Sequence, residues 1–131
     1  MLCMGVMSVK NKKFFIDGSG WNGNESRACV TNRNGTVLAF VRFGQSRTNN
    51  EMEYQGLITC LLMDIPKESE IMTDSQLLVG QLTKGWKVNF EHLRIYVDAC
   101  KELIAKKRIK LTWIPRRRNK AGIVLEKEAK I

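Results

Sequence analysis

Residues 13–43 have the sequence KFFIDGSGWNGNESRACVTNRNGTVLAFVRF, and this stretch decides the fold. The apolar run Lys13–Ile16 leads into a polar turn rich in glycine, so it predicts a first strand. Arg27–Asn32 and Thr36–Phe43 are two further β-rich runs, and the Asn-Gly pair at positions 34 and 35 is a strong signal for a tight hairpin. The chain is therefore expected to open with three consecutive antiparallel strands.

After residue 43 the hydrophobic pattern alternates between helical and strand periods. The pattern predicts four helices, which are Glu51–Met63, Gln76–Leu82, Phe90–Lys107 and Lys120–Lys130, and the first of them is capped by Asn49 or Asn50. It also predicts two strands, Glu70–Thr73 and Ile109–Ile114. The order βββαβααβα predicts an α/β fold, a five-stranded mixed sheet flanked by helices. No linker or repeat interrupts it, so residues 1–131 are expected to form a single domain, with 1–12 a tail or an edge segment.

Composition narrows the class of protein further. The 131 residues are 44% hydrophobic and 27% charged, which is typical of one globular domain. No apolar run approaches the length of a membrane span, and the first seven residues lack the features of a secretory signal. None of the four cysteines forms a Cys-x-x-Cys pair and there is one histidine, so a structural zinc site is not expected. Reduced thiols and a cytoplasmic location are predicted.

The positive charge is concentrated at one end of the chain. Residues 101–131 carry 11 basic and 3 acidic side chains, a net charge of +8 out of the total of +9. A localised basic face usually binds a polyanion, and nucleic acid is the first candidate. An acidic membrane surface and a merely solvated basic tail are the alternatives.

Two aspartates follow predicted strands and suggest a metal site. Asp17 ends the first strand, and Asp74 ends the strand at Glu70–Thr73. Glu51 and Glu53 begin the first predicted helix, which lies between these two strands in the sequence. If the two strands are neighbours, these carboxylates meet at one edge of the sheet. A cluster of oxygen ligands without histidine or cysteine suits Mg²⁺ or Mn²⁺. The alternative is that each aspartate only forms a turn or caps a helix.

Four segments resemble the signature blocks of the type 1 ribonuclease H family, in its order and at about its spacing. The segments are FFIDGSGWNGN, RTNNEMEYQGL, MTDSQLLVGQL and WIPRRRNKAG, and the resemblance covers roughly residues 13–126. It implies the ribonuclease H-like fold, a five-stranded mixed sheet whose first three strands are antiparallel. It also implies an endonuclease that cleaves the RNA strand of an RNA–DNA hybrid with two divalent ions, Mg²⁺ or Mn²⁺.

The resemblance also implies the metal-binding residues. Asp17, Glu53 and Asp74 occupy the positions of three family carboxylates. The fourth family carboxylate follows an Asn-x-x-Ala-Asp pattern, but this chain has Gly122 and Ile123 there. Glu126 lies one helical turn after Gly122 and could take over as a catalytic and metal-binding residue. The alternative is that Glu126 is solvated and the site has three carboxylates. The histidine found in the catalytic loop of many members is also missing, and three arginines stand there instead.

A further set of residues is predicted to contact the substrate through amides, hydroxyls, backbone and positive charge. The set comprises Gly18, Ser19, Thr48, Asn49, Asn50, Ser75, Gln76 and Arg116. Amides and hydroxyls suit the 2′-hydroxyl groups and phosphates of a hybrid duplex. The family's basic protrusion is not expected, because the segment Lys84–Lys87 is brief; Trp86 within it could flank the DNA strand or pack at the edge of the core.

The sequence leaves two competing functions open. One alternative is a nucleic-acid-binding module of the same fold that cleaves weakly or not at all, because the fourth carboxylate is missing. Another is a different nuclease of the same broad fold, a junction resolvase or an exonuclease, which the Thr-Asn-Asn-x-Met-Glu block at 48–53 disfavours. The protein is expected to act as a monomer, with the hybrid as its partner and no membrane.

Overall fold

The computed structural model describes residues 12–129, so the first eleven residues of the predicted tail lie outside it. A single five-stranded sheet in the order β3-β2-β1-β4-β5 organises them. Its strands are β1 (Lys13–Ser19), β2 (Ser26–Asn32), β3 (Val37–Phe43), β4 (Glu70–Thr73) and β5 (Lys110–Trp113). The first three strands pair antiparallel, whereas β4 pairs parallel with both β1 and β5. The predicted mixed sheet is thus confirmed.

Four α-helices flank the sheet. They are α1 (Asn49–Leu62), α2 (Gln76–Thr83), α3 (Glu91–Lys107) and α4 (Lys120–Ala129), with a short 3₁₀ turn at Arg116–Arg118 before the last. The main core packs the apolar faces of α1 and α3 against the sheet, around the buried Ile16, Tyr54 and Leu57. A smaller cluster of Cys29, Ala121 and Leu125 fixes α4 on the opposite face. Among residues 12–129, no helix combines the length and apolarity that a membrane span needs.

Several boundaries differ from the sequence prediction by a residue or two, and two of these differences bear on the site. Strand β1 continues past Asp17 to Ser19, because Gly18 and Ser19 still pair with β2. Helix α1 begins at Asn49 instead of Glu51, because the Thr48 side chain caps it and Glu51 completes a capping box. The predicted asparagine cap is therefore replaced by a threonine cap.

The three cysteines of the described region are free and buried, as expected for reduced thiols. Burial raises the pKa of the Cys29, Cys60 and Cys100 thiols to about 12. These thiols therefore stay protonated at neutral pH and behave as small apolar side chains.

Candidate active site

Three carboxylates converge at one edge of the sheet. Asp17 lies in β1, Asp74 directly follows β4, and Glu53 projects from the second turn of α1. One carboxylate oxygen of each lies within 4.8 Å of those of the other two. Because β1 and β4 are parallel neighbours, the two aspartates meet as the sequence predicted.

Glycine at position 18 allows α1 to approach β1 closely enough to place Glu53 beside Asp17. A Cβ atom at position 18 would overlap the carbonyl group of Met52. The Gly18 backbone N–H donates to Glu53 Oε1 at 3.0 Å. Gly56, one turn further along α1, packs against the Asp17 backbone, where an added Cβ would lie 3.1 Å from the carbonyl oxygen. The contacts of Gly18 show a packing role, and its predicted approach to the substrate stays a prediction.

Asn119 joins the elements that carry the acids, although sequence reasoning gave it no role. Its side chain is fully buried. The Nδ2 group donates to the Ile16 carbonyl at 2.9 Å and to Asp74 Oδ2 at 3.3 Å. The Oδ1 atom accepts from the Ala121 backbone N–H at 3.1 Å and so caps α4. The sequence did carry one signal for the capping role of Asn119. It stands directly before a predicted helix, and asparagine is a favoured N-cap residue.

The acidic cluster carries a large electrostatic penalty in the folded protein without a cation. Burial, followed by the charge of Asp74, raises the pKa of Asp17, whereas nearby Arg116 lowers it. Burial, followed by the charges of Asp17 and Asp74, raises the pKa of Glu53. Asp17 Oδ1 is buried and has no hydrogen-bond partner among the described residues. A buried, unpaired carboxylate oxygen beside two further carboxylates fits a hard divalent cation, which would relieve the repulsion.

We expect Glu53→Gln to stabilise the metal-free protein at pH 8. Because the folded-state pKa of Glu53 is raised, the folded protein retains a proton that the unfolded chain releases above about pH 4.3. Stability is therefore lost as pH rises through the window between the two pKa values. The neutral amide avoids this loss, so its Tm should exceed that of the parent by about 3 °C or more at pH 8.

Thermal denaturation in EDTA from pH 4.5 to pH 8 measures this difference, which should shrink as the pH falls. Glu102→Gln is the matched control, because Glu102 is exposed on α3. A Tm difference that is the same at every pH would contradict the electrostatic origin.

Glu126 lies at the rim of the acidic cavity and not within the carboxylate cluster. This cavity, which we call the acidic cavity, has a volume of about 310 Å³ and is lined by Asp17, Glu53, Arg116 and Glu126 among others. The Glu126 side chain is 61% exposed, and its Oε1 lies 4.0 Å from Arg116 Nε. Glu126 thus faces the same cavity as Asp17, but its ion partner is Arg116.

The two positions aligned with the missing family carboxylate differ in their surroundings. A Cβ atom at Gly122 would lie 3.1 Å from Asp17 Oδ2, closer than most real Cβ contacts. The neighbouring Ile123 is 41% exposed and lines a cavity together with Arg116 and Arg117. An acid at position 122 would therefore press on Asp17, whereas position 123 has room for one.

The predicted substrate contacts divide into two groups in the structure. Gly18, Ser19, Asn49 and Arg116 line the acidic cavity. The Asn49 Oδ1 atom accepts from the Gly20 N–H at 2.7 Å, so this side chain also fixes the turn after β1.

The remaining predicted contacts lie outside that cavity. Thr48 and Ser75 cap the helices α1 and α2 through hydrogen bonds from the Glu51 and Leu78 backbone N–H groups. Asn50 is exposed at the start of α1. Gln76 lines a separate cavity with the partly exposed Trp86 and Trp113.

Arg27 is a second residue that the sequence did not single out. It is 4% exposed in β2 and lines the acidic cavity. Its Nη1 donates to the Leu125 carbonyl at 3.3 Å, and its Nε has no hydrogen-bond partner among the described residues. A basic residue directly before the apolar run Ala28–Val30 was the available sequence signal. Arg27 thus adds positive charge to the wall of a cavity whose floor is acidic.

The sheet order and the three clustered carboxylates are those of the ribonuclease H-like fold class. The family model described as reverse transcriptase-like matches residues 17–129. The chain therefore belongs to the type 1 ribonuclease H family. This confirms the family that the four sequence blocks indicated.

Solved structures show the same likeness. Ribonuclease H1 from Halobacterium salinarum is 26% identical, with a TM-score of 0.67 over 88% of this chain and 93% of that one. The N-terminal RNase H domain of Rv2228c from Mycobacterium tuberculosis is 32% identical, with a TM-score of 0.64 over 83% and 92%. LC11-RNase H1 in complex with an RNA/DNA hybrid is 25% identical, with a TM-score of 0.61 over 83% and 88%.

A curated relative extends beyond the region of similarity. The bifunctional protein Rv2228c of Mycobacterium tuberculosis is 40% identical over 90 residues, which are 64% of this chain and 24% of that protein. The chain thus matches about a quarter of the length of this relative.

Proposed function

We propose that this protein is an endoribonuclease that hydrolyses the RNA strand of RNA–DNA hybrids with the help of two divalent ions, Mg²⁺ or Mn²⁺. The convergence of Asp17, Glu53 and Asp74 within 4.8 Å, in a chain of this family, carries the proposal. The hybrid bound to LC11-RNase H1 supports the substrate.

The acidic cavity suits phosphodiester hydrolysis. Asp17, Glu53 and Asp74 are the residues that would hold the ions, and Glu126 is the proposed fourth acid at the rim. Bound divalent ions supply Lewis-acid stabilisation of the attacking and leaving oxygens. Arg116 and Arg27 bring positive charge to the cavity wall, where a phosphate would approach the acidic floor. Ser19 and Asn49 in the same cavity offer hydrogen-bonding groups to the ribose side of the strand.

A direct cleavage assay tests this function. A hybrid labelled on its RNA strand should be cut internally in Mg²⁺ or Mn²⁺ and remain intact in EDTA. Double-stranded DNA and double-stranded RNA of the same sequence are the controls. Equal cleavage of all three duplexes, or cleavage in EDTA, would exclude a metal-dependent, hybrid-specific enzyme.

The alternative is a nucleic-acid-binding module that cleaves weakly or not at all. The observation favouring it is that α4 places a glycine and an isoleucine, at 122 and 123, where the family carries its fourth carboxylate. Binding of the hybrid without cleavage in either metal would support this second candidate. The same assay therefore separates the two functions.

Three further proposals concern the molecule as a whole. We propose that residues 1–131 act as one domain, as a monomer, and in the cytoplasm. The free buried cysteines support a reducing compartment. Gel filtration with light scattering should give a mass near the 15.0 kDa of one chain.

We expect replacement of Arg116, Arg117 and Arg118 by alanine to weaken binding of any duplex. All three side chains are exposed on the turn before α4, and Arg116 lines the acidic cavity. If each neutralises one phosphate, the slope of log K against log salt should fall in magnitude by about 2.7. Binding measured between about 50 mM and about 200 mM salt gives this slope.

A variant with alanine at Arg94, Lys101 and Lys106 is the matched control. These three cations are exposed on α3, which packs on the opposite face of the sheet from α4. The control removes the same charge but should keep the parental slope. An unchanged slope in the arginine variant would show that the turn faces away from the substrate.

A further inference from the structure

A second cavity lies on the sheet face that carries α4. It has a volume of about 480 Å³. Apolar side chains from three strand regions, Phe15, Met72 and Ile114, form part of its lining. Four cations also line it, which are Lys13, Arg117, Arg118 and Lys120. We call it the basic cavity.

The charge of the basic cavity is poorly balanced. Glu70 is the one acidic residue among the described residues that line it. The Glu70 carboxylate already accepts from Thr112 Oγ1 at 2.6 Å and lies 3.9 Å from Lys13 Nζ. Arg117 and Arg118 have no carboxylate within 4.0 Å in the part of the chain that the structure describes. The cavity therefore has surplus positive charge available to an anion.

The basic cavity is linked to the acidic cavity by residues that line a third cavity. Between them lies a third cavity of about 470 Å³ at the start of α4. It shares Arg117 and Ile123 with the basic cavity, and Arg116, Gly122 and Glu126 with the acidic cavity. A chain of phosphates leaving the acidic cavity thus has a cationic path to the basic one.

We propose that the basic cavity binds a single-stranded extension of a nucleic acid whose duplex part occupies the acidic cavity. The proposal rests on the proposed function, because the extension belongs to the same substrate. Cations at the rim suit the phosphates. The apolar lining suits unpaired bases, since a single strand exposes base faces that a duplex keeps stacked inside. The mixture of surplus charge and apolar surface therefore favours a single strand over a second duplex.

The test compares hybrids with and without extensions. Fluorescence anisotropy in EDTA measures the Kd of a blunt hybrid and of the same hybrid with a short single-stranded extension at either end. For the parent protein, the extension at one end should tighten binding about tenfold. The double variant Lys13→Ala with Lys120→Ala should lose this gain, whereas the Kd of the blunt hybrid and its cleavage stay at parental values, because both lysines line the basic cavity and lie outside the Arg116–Arg118 turn. Neither changed residue lines the acidic cavity.

Lys101→Ala is the single-charge control, and it should keep the full gain because Lys101 lies on α3. No gain from an extension at either end, or a gain that survives the double variant, would overturn the proposal. An equal gain from a blunt hybrid lengthened to the same total size would overturn the single-strand assignment. Failure of the parent to cleave the blunt hybrid in metal would instead reject the proposed function, so the two failures are distinguishable.

Discussion

Asp74→Asn should abolish hybrid cleavage and leave the fold intact. Asp74 belongs to the carboxylate cluster, and an amide supplies no negative charge to hold divalent ions. Loss of about 4 kcal/mol of metal-derived transition-state stabilisation corresponds to about a thousandfold lower rate. The fold should survive, because Asp74 Oδ2 accepts from Asn119 Nδ2 at 3.3 Å and an amide oxygen accepts the same bond.

Single-turnover cleavage of a labelled hybrid in Mg²⁺ and Mn²⁺ measures the rate, and thermal denaturation checks the fold. We expect the metal-free variant to be at least as stable as the parent, because removing the Asp74 charge relieves Asp17 and Glu53. The control is Asp98→Asn, since Asp98 is exposed on α3. Cleavage within tenfold of the parent rate would remove Asp74 from the site.

The sheet was predictable because its signals are local. The Asn-Gly pair at 34 and 35 forms the turn between β2 and β3, with Gly35 at a positive φ of 87°. The hydrophobic residues recur with the period of a strand or of a helix in successive segments, and this pattern predicted the order of the other elements. The boundaries were less predictable, since the extension of β1 to Ser19 depends on pairing with β2 and not on its own apolar residues.

The meeting of Asp17 and Asp74 was predictable because both acids lie at the carboxyl ends of strands that became parallel neighbours, and the resemblance to a known family added Glu53. Asn119 and Arg27 were not predictable, because their roles depend on distant contacts. Asn119 bonds to Ile16, 103 positions earlier, and Arg27 bonds to Leu125, 98 positions later. Such pairings follow from how α4 packs on the sheet, which no local pattern encodes.

Glu126→Gln should raise the metal requirement and slow cleavage, if Glu126 serves as the fourth acid. Helix α4 has a glycine at the position nearest Asp17, where even a Cβ atom would lie 3.1 Å from the carboxylate. Glu126, one turn later, lines the same cavity and has a longer side chain. The negative charge of three carboxylates only partly balances the positive charge of two divalent ions. A fourth carboxylate at the rim would therefore help to hold the second ion before the substrate binds.

A residue that supports a metal site in this way typically changes metal affinity or activity by about 10–100-fold when it is mutated. Titration calorimetry with Mn²⁺, without substrate, measures the affinity, and cleavage across a Mg²⁺ and Mn²⁺ titration measures activity. Glu128→Gln is the matched control, because Glu128 lies two residues further along α4 and pairs with Arg42 at 2.6 Å. Its titration curves should coincide with those of the parent.

Coincident curves for the Glu126 and Glu128 variants would leave a site of three carboxylates, with Glu126 serving only as the ion partner of Arg116. In that case a fourth acid can be added where the helix has room for one. Ile123→Asp should then increase activity at low metal concentration, because Ile123 is partly exposed beside the loop. Gly122→Asp should not, because its Cβ atom would displace Asp17 from the position that brings the three carboxylates together.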